Sequence, residues 1–204
     1  MVNNSKMKVG VLALQGDFRE HSNALIACGV DVLPVRRVEE LSTVDALIIP
    51  GGESTTIAHL AQTFGIFDAI KERISSGMPA YGSCAGMILL ADEILDAAKD
   101  QKTFGGLEIV VRRNAFGRQV DSFETELEFK DGFPEPLKAV FIRAPWVERV
   151  GANVEVLATV KSHPVAVRSK TLLATSFHPE LTGDHRIHQY FVDQVARPAV
   201  KKVQ

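Results

Sequence analysis

The chain has 204 residues, of which 46% are apolar, and its formal net charge at pH 7 is -2. These values fit a globular domain with a sizeable core. The basic residues are scattered, so we expect no nucleic-acid partner, and no window approaches the ~20 apolar residues of a membrane span. With two cysteines, too few for a disulfide framework, and no start of signal-peptide type, the sequence predicts a cytoplasmic protein.

Strand and helix patterns alternate in the first half of the chain. An apolar run at Lys8–Leu14 is followed by a helical pattern that ends at Gly29, and further strand patterns begin at Val30, Asp45 and Pro79. This alternation predicts a parallel sheet with crossover helices.

The second half is rich in strand patterns. Six closely spaced runs follow Phe104, and a final helix is expected around His185–Ala196. No linker or repeat separates the two halves. We therefore predict a single α/β domain over residues 1–204, built on one open, mostly parallel mixed sheet flanked by helices, with residues 1–6 and 199–204 as loose tails.

A cluster of small residues surrounds one cysteine between a strand and a helix pattern. Gly82 and Gly86 stand two residues either side of Cys84, which is the layout of a nucleophile elbow. A thiol at the start of the following helix would be activated by the partial positive charge there. The alternative is a small buried apolar residue, because free cysteines are often buried.

A histidine and a carboxylate follow a late apolar strand in the stretch SFHPE. Pro179 favours an extended backbone at His178, and strand periodicity then places His178 and Glu180 on one side. A carboxylate beside an imidazole fixes its tautomer and leaves the other nitrogen to accept a proton from sulfur. The pattern predicts a Cys-His-Glu triad, although a lone histidine can also be a surface or core residue.

Consecutive glycines follow a third strand, in PGGES at Pro50–Ser54. Their backbone N–H groups could face an anion, or the segment could be an ordinary strand-to-helix turn. The glycine turn, Cys84 and His178 all fall at the carboxyl ends of predicted strands, the edge where open α/β sheets bind ligands. This coincidence favours a catalytic site.

The motifs PGGEST, GSCAGM and FHPEL, in this order, resemble the class I, triad-type glutamine amidotransferase family. Within it the chain is similar to the glutaminase subunits of pyridoxal 5'-phosphate synthase, because it also carries VGVLALQGDFREH, RRNAFGRQVDSF, FIRAP and HPELTGDHRIHQYF. The resemblance spans Lys8 to about Val195 and implies a class I glutamine amidotransferase-like, flavodoxin-like fold.

The resemblance also implies an activity. The family hydrolyses L-glutamine to L-glutamate and ammonia through a cysteine thioester. It delivers the ammonia to a barrel-shaped synthase subunit, in a hetero-oligomer that makes pyridoxal 5'-phosphate (vitamin B6). By this similarity Cys84 is the nucleophile, His178 is the general base and then acid, and Glu180 orients His178.

Further roles are carried over in the same way. The resemblance implies an oxyanion hole formed by the backbone N–H groups of Gly52 and Ala85. It implies a substrate site made of Gly52, Glu53, Ser54, Arg113, Ile142 and Arg143. From the residues alone, Glu53 and Ser54 could simply begin a helix, and the two arginines could be solvated.

Other candidate groups are weaker. Asp184, His185 and His188 lack a third strong metal ligand at suitable spacing, so we interpret them as an exposed helix face and expect no metal. No dinucleotide fingerprint follows the first strand, and we expect no cofactor. The resemblance places Gln15 near the active site and the partner contact, whereas the residue alone could be a polar loop residue.

Two alternative functions remain open from the sequence. The chain could be the glutaminase subunit of another ammonia-using synthase, such as imidazole glycerol phosphate synthase. It could also be a non-enzymatic, redox-sensing thiol protein of related fold, although a sensor thiol needs no general acid such as His178.

Overall fold

The computed structural model describes residues 6–115, 122–131 and 133–200. Residues 116–121, which belong to the motif RRNAFGRQVDSF, lie outside the described residues, as do the tail residues 1–5 and 201–204.

The strands and helices follow the predicted alternation in the first half. The strands are β1 (Lys8–Leu12), β2 (Asp31–Val35), β3 (Ala46–Ile49), β4 (Ala80–Ser83), β5 (Ala91–Leu95), β6 (Leu107–Arg112), β7 (Ser122–Leu127), β8 (Leu137–Ile142), β9 (Trp146–Val150), β10 (Glu155–Val160), β11 (His163–Arg168) and β12 (Leu172–Thr175). The helices are α1 (Phe18–Ala27), α2 (Val38–Leu41), α3 (Ser54–Thr63), α4 (Phe67–Ser75), α5 (Ala85–Leu90), α6 (Arg186–Tyr190) and α7 (Arg197–Val200).

The main sheet has seven strands in the order β10-β11-β12-β4-β3-β1-β2. The five strands from β12 to β2 are parallel to one another, whereas β10 and β11 are antiparallel additions at one edge. The predicted mostly parallel sheet is therefore confirmed. The parallel part has the order of flavodoxin-like sheets, in which the crevice at the carboxyl ends of the strands holds the ligand.

Two small sheets take up the rest of the β-rich second half. One has the order β5-β6-β9 and the other pairs β7 with β8. Among the described strands of the second half, β10, β11 and β12 join the main sheet. The sequence did not predict β5 and β9, because the partly exposed stretch that forms β5 lacks a clear alternation of apolar and polar residues.

Apolar side chains cover both faces of the main sheet. On β3, Leu47 and Ile49 pack into the cluster that includes Ile57 of α3, and Ile48 packs into the cluster that includes Phe191. Successive residues of a strand point to opposite faces, so a strand buried on both faces reads as a continuous apolar run. This is why the strand patterns of the first half were easy to recognise.

The final helix begins close to its predicted position. It comprises α6, a π-helical segment at Phe191–Ala196 and α7. Ala199 and Val200 therefore belong to a helix, although the sequence placed them in a loose tail. In the part of the chain that the structure describes, no helix has the length and apolar character needed to cross a bilayer.

Candidate active site

Cys84 lies on a sharp turn between β4 and α5. Its backbone has φ 47° and ψ -101°, in a region that non-glycine residues rarely adopt. A Cβ on Gly82 would lie 2.4 Å from the carbonyl group of Gly86, and one on Gly86 would lie 2.1 Å from the carbonyl oxygen of Ile49. Only glycine allows strand and helix to approach so closely, so the local sequence dictates the turn.

A cavity of about 420 Å³ opens beside this turn. Most of the predicted site residues line it, namely Gly52, Glu53, Ser54, Cys84, Ala85, Arg113, Ile142, Arg143 and His178. Gln15, Asp17, Ile88 and Asn114 complete the lining. The volume is typical of a small-molecule site. The fold therefore brings together residues from the ends of four parallel strands and from the second half of the chain.

His178 and Glu180 form a buried pair next to the cavity. The Nδ1 atom of His178 lies 2.7 Å from Oε1 of Glu180. The strand periodicity predicted for His178 and Glu180 was wrong, because β12 ends at Thr175 and Pro179–Leu181 forms a 3₁₀ turn rather than an extended strand. The tight turn curls the carboxylate back onto the imidazole that precedes it, and Glu180 itself does not line the cavity.

The contacts of His178 stabilise its charged form, which arises when the ring accepts a proton. Burial would lower the pKa of His178, but hydrogen bonds with Cys84 and Glu180 raise it to about 10. Burial raises the pKa of Glu180, against the hydrogen bond from His178. Because Glu180 occupies Nδ1, the nitrogen left for the Cys84 thiol is Nε2. The site can thus exchange a proton between sulfur and imidazole.

The glycine turn after β3 makes room for the imidazole. A Cβ on Gly51 would lie 2.3 Å from Cε1 of His178, so a side chain at this position would displace the ring. Gln15 secures the same turn, because its Oε1 accepts a hydrogen bond from the backbone N–H of Glu53 at 2.9 Å. Gln15 therefore contributes to the site rather than being a simple polar loop residue.

Two backbone positions are suited to binding an oxyanion. Gly52 and Ala85 both line the cavity that contains Cys84. Ala85 begins α5, where the first N–H groups of a helix have no partner inside the helix. The geometry is compatible with the oxyanion hole that the resemblance implies.

A polar network that includes Glu53, Ser54 and Arg113 lines the same cavity. Glu53 caps α3 by accepting from the backbone N–H of Thr56 at 2.8 Å, and its Oε1 accepts from Arg113 at 3.0 Å. Although partial burial alone would raise the pKa of Glu53, hydrogen bonds from Thr55 and Thr56 hold it below its usual value. Glu53 therefore both begins a helix and presents a carboxylate to the cavity.

Gln101, which the sequence did not predict as a site residue, joins two predicted substrate residues. Its Nε2 donates to Oγ of Ser54 at 2.9 Å, and its Oε1 accepts from Nη1 of Arg113 at 2.8 Å. The residue lies in a segment without helix or strand, so no pattern in the sequence marked it.

Ile142 and Arg143 form the rim of the cavity. Both are exposed, and Arg143 has a left-handed backbone with φ 43°. The carbonyl oxygen of Ile142 lies 3.9 Å from Sγ of Cys84, which is a weak contact. Arg143 therefore adds positive charge near the mouth of the cavity.

The structure corrects the interpretation of His188. The sequence placed His188 with Asp184 and His185 on an exposed face, but His188 is fully buried and only His185 is exposed. The carboxylate of Asp184 pairs with Arg186 at 2.6 Å. Helical periodicity failed here because the imidazole of His188 contacts a buried partner from a distant helix, His21 in α1.

Potential metal ligands within the described residues include the His178–Glu180 pair. Ligand atoms of Asp17, His178 and Glu180 lie within 4.8 Å of one another. The Nδ1 atom of His178 already pairs with Glu180, so a cation at this position would have to replace that hydrogen bond. The donor set therefore fits the triad better than a metal centre.

The fold is an open, mostly parallel sheet, and the site combines a cysteine on a sharp turn, a buried imidazole–carboxylate pair and a polar cavity. These features define the class of triad-type amide hydrolases. The model of the SNO glutamine amidotransferase family matches residues 11–197. The chain belongs to this family, and it is a glutamine amidotransferase.

Curated relatives match over nearly the full length of both chains. The chain is 62% identical over 187 residues to pyridoxal 5'-phosphate synthase subunit PdxT of Mycobacteroides abscessus, covering 92% of this chain and 96% of the relative. It is 59% identical to the PdxT subunit of Streptomyces coelicolor, covering 92% and 93%.

Solved structures share the fold. One described as a glutamine amidotransferase has a TM-score of 0.85 and 52% identity, and the match covers 91% of this chain and 97% of that one. PurLQS from Thermotoga maritima has a TM-score of 0.61 at 17% identity, covering 98% of this chain and all (100%) of that one. The second match shows likeness of fold alone.

Proposed function

We propose that this chain is the glutaminase subunit of a pyridoxal 5'-phosphate synthase, in which Cys84, His178 and Glu180 hydrolyse L-glutamine. The observation that carries the proposal is one cavity that is lined by Cys84 and His178 and also by the paired side chains of Glu53 and Arg113. Cys84 can attack an amide in this cavity while the charged side chains bind the amino-acid groups of the same substrate.

The first half of the reaction forms a thioester. His178 takes the thiol proton of Cys84, and the sulfur attacks the side-chain amide carbon of glutamine. The backbone N–H groups of Gly52 and Ala85 stabilise the negative oxygen of the tetrahedral intermediate. His178 then returns the proton to the departing nitrogen, so that ammonia leaves and the γ-glutamyl thioester remains.

The second half releases glutamate. A water molecule gives a proton to His178 and attacks the thioester carbon, and the resulting intermediate again places its oxygen against Gly52 and Ala85. The bond to sulfur breaks, and Cys84 recovers its proton from His178. Glu180 keeps the imidazole in the required orientation and stabilises its charged form throughout.

The polar side chains that line the cavity recognise the α-ammonium and α-carboxylate groups. Glu53 offers a carboxylate, Arg113 and Arg143 offer guanidinium groups, and Ser54 offers a hydroxyl group. Opposite charges at fixed positions distinguish glutamine from simple amides that lack them.

The relatives support the identity of the partner. Curated relatives at 62% and 59% identity are named as subunits of pyridoxal 5'-phosphate synthase, which favours this synthase over one that makes imidazole glycerol phosphate. We propose a barrel-shaped synthase subunit as the partner that receives the ammonia. Membership of the amidotransferase family also argues against a redox-sensing thiol as the main role of Cys84.

The test is an assay of ammonia and glutamate release by the subunit mixed with its synthase partner. We expect activity that Cys84→Ala abolishes and that Cys28→Ala retains. Cys28 is a suitable control because burial, with the nearby Asp193, raises the pKa of its thiol, and it does not line the cavity. Activity that survives Cys84→Ala would contradict the proposal.

A further inference from the structure

Two buried histidines lie behind the catalytic pair and do not line the cavity. His21 of α1 and His188 of α6 are both fully buried, and Nδ1 of His21 lies 2.9 Å from Nε2 of His188. The other nitrogen of His21, Nε2, lies 2.9 Å from Oγ of Ser83 and 3.4 Å from Oε2 of Glu180. A continuous series of polar side chains thus connects His188 through His21 to Glu180.

The surroundings of His188 determine which ring nitrogens carry protons. Nδ1 of His188 has no hydrogen-bond partner among the described residues. A proton there would be a buried donor without an acceptor, which is costly, so the proton belongs on Nε2. Nε2 of His188 therefore donates to Nδ1 of His21, and the proton of His21 is placed on its own Nε2.

The same assignment is favoured from the other side. Nε2 of His21 faces the carboxylate oxygen Oε2 of Glu180, and an unprotonated nitrogen there would place two lone pairs against each other. Protonated, it donates to Oγ of Ser83 and directs its N–H dipole at the carboxylate. The contacts with His188 on one side and with Glu180 on the other therefore select the same tautomer of His21.

Glu180 needs this N–H group. Its Oε1 pairs with His178, but its Oε2 is buried and has no hydrogen bond within the part of the chain that the structure describes. A buried carboxylate that lacks donors loses its charge readily. His21 is itself neutral, because burial and the neighbouring His188 and His178 lower its pKa well below the usual value. It therefore acts as a dipole and not as a counter-charge.

We propose that His21 and His188 are positioning residues for the glutaminase reaction: His188 fixes the tautomer of His21, and the N–H group of His21 keeps Glu180 ionised and turned toward His178. This inference rests on the proposed function. It assigns a catalytic consequence to helices α1 and α6, which contribute no side chain to the reacting atoms themselves.

The expected consequence is a change in the pH dependence of catalysis. Without the N–H group of His21, Glu180 is less readily ionised and stabilises the imidazolium of His178 less well. The high-pH limb of kcat/KM, where His178 loses its proton, should therefore move to lower pH. Other titratable groups also interact electrostatically with these residues. Asp17 and Tyr81 interact with Glu180, and Asp184 and His185 interact with His188.

The experiment compares variants in the assembled complex with the synthase. For His21→Leu we expect kcat to fall about tenfold or more, because one hydrogen bond to a charged group is lost. We expect little change in KM. The high-pH limb should move down by about one pH unit. His21→Gln, whose amide nitrogen can occupy the position of Nε2, should recover most of the activity. His188→Leu should change kcat and the pH limb in the same direction as His21→Leu, but by less.

Thr175→Val is the matched control. It removes a buried hydroxyl group that binds Tyr81 in the same core and has no hydrogen bond to His21 or Glu180. It should lower stability without moving the pH limb. If His21→Leu and wild-type profiles superimpose, the inference is wrong, and an inactive wild-type complex would instead refute the proposed function.

A measurement on the wild-type subunit needs no variant to be active. With ¹⁵N-labelled histidine, nuclear magnetic resonance should show neutral rings at His21 and His188, both protonated at Nε2, at neutral pH. Assignment uses the His21→Gln and His188→Leu proteins. Protonation of His21 at Nδ1 would contradict the proposal even if the leucine variant failed to fold.

Discussion

The Nδ1 atom of His178 lies 2.7 Å from Oε1 of Glu180 and 3.8 Å from Oδ2 of Asp17. The two carboxylates differ in surroundings as well as in distance, because the side chain of Glu180 is fully buried and that of Asp17 is 42% exposed. Solvent screens the exposed charge, so Glu180 is the carboxylate that determines the state of the imidazole.

Replacing Glu180 should therefore affect catalysis far more than replacing Asp17. Glu180→Gln keeps the size of the side chain but removes its charge, and we expect kcat to fall by roughly 10²- to 10⁴-fold because the imidazolium is no longer stabilised. Asp17→Asn, the matched control, should reduce kcat by less than about threefold, because exposed charges interact weakly. Glutaminase assays of both variants with the synthase present make the comparison, and equal losses would show that both carboxylates act on His178.

Gln101 should affect substrate binding rather than the chemical step. Its side chain holds Ser54 and Arg113 together and has no hydrogen bond to Cys84 or His178 among the described residues. For Gln101→Ala we expect KM for glutamine to rise about tenfold, the effect of one hydrogen bond to a charged group, with kcat nearly unchanged.

Gln62→Ala is the control for this prediction. It removes the same side chain from an exposed position on α3, and it should leave both constants as they are. A fall in kcat with unchanged KM for Gln101→Ala would mean that the segment acts on the reacting groups instead.

The sequence predicted those parts of the site that depend on local chain geometry. The turn at Cys84 follows from Gly82 and Gly86, because only small residues allow a strand and a helix to meet so closely. The main sheet was predictable because its strands are buried on both faces and read as apolar runs. The pairing of His178 with Glu180 was also expected, although a 3₁₀ turn rather than a strand produces it.

The remaining contacts join residues that are distant in the chain. Gln101 meets Ser54 across 47 residues, and His21 meets His188 across 167. Spacing within one element carries no information about such pairs, because only the packed fold brings their helices and loops together. Polar residues whose role depends on a distant partner, such as His188, are for this reason mistaken for surface residues.

Gly51 should be intolerant of any side chain because of the imidazole beside it. A Cβ at this position would lie 2.3 Å from Cε1 of His178, and the ring would have to move away from Cys84. Misplacement of a catalytic group by about 1 Å can reduce the rate 10²-fold, so we expect a loss of about that size in kcat for Gly51→Ala.

Gly77→Ala separates this effect from general destabilisation. Gly77 has φ 96° and no atom close to the position of an added Cβ, so alanine there strains the backbone by about 1–2 kcal/mol without touching the site. For Gly77→Ala we expect lower thermal stability and normal activity. For Gly51→Ala we expect lower activity and near-normal thermal stability. Normal kcat in Gly51→Ala would show that His178 does not need the close packing seen here.

Stability in mild acid should depend on the buried histidine pair. Burial lowers the pKa of His188 to about 3 and that of His21 well below its ordinary value, whereas both groups titrate near 6.5 in the unfolded chain. Below pH 6.5 the unfolded state therefore binds more protons than the folded state. The contribution of His21 and His188 to the free energy of unfolding should therefore fall with decreasing pH, by up to about 1.4 kcal/mol per pH unit for each histidine.

Urea unfolding at pH 7, 6 and 5, followed by the fluorescence of Trp146, measures this dependence. His188→Leu should reduce the change in the free energy of unfolding per pH unit by the contribution of one histidine, because leucine takes up no proton in either state. This holds whatever the effect of the substitution on the free energy of unfolding itself. His59→Leu, which removes an exposed histidine from α3, should leave the slope close to that of the wild type. If the slopes of wild type and His188→Leu coincide, then His188 takes up a proton in the folded protein as readily as in the unfolded chain, and the neutral His21–His188 pair is excluded.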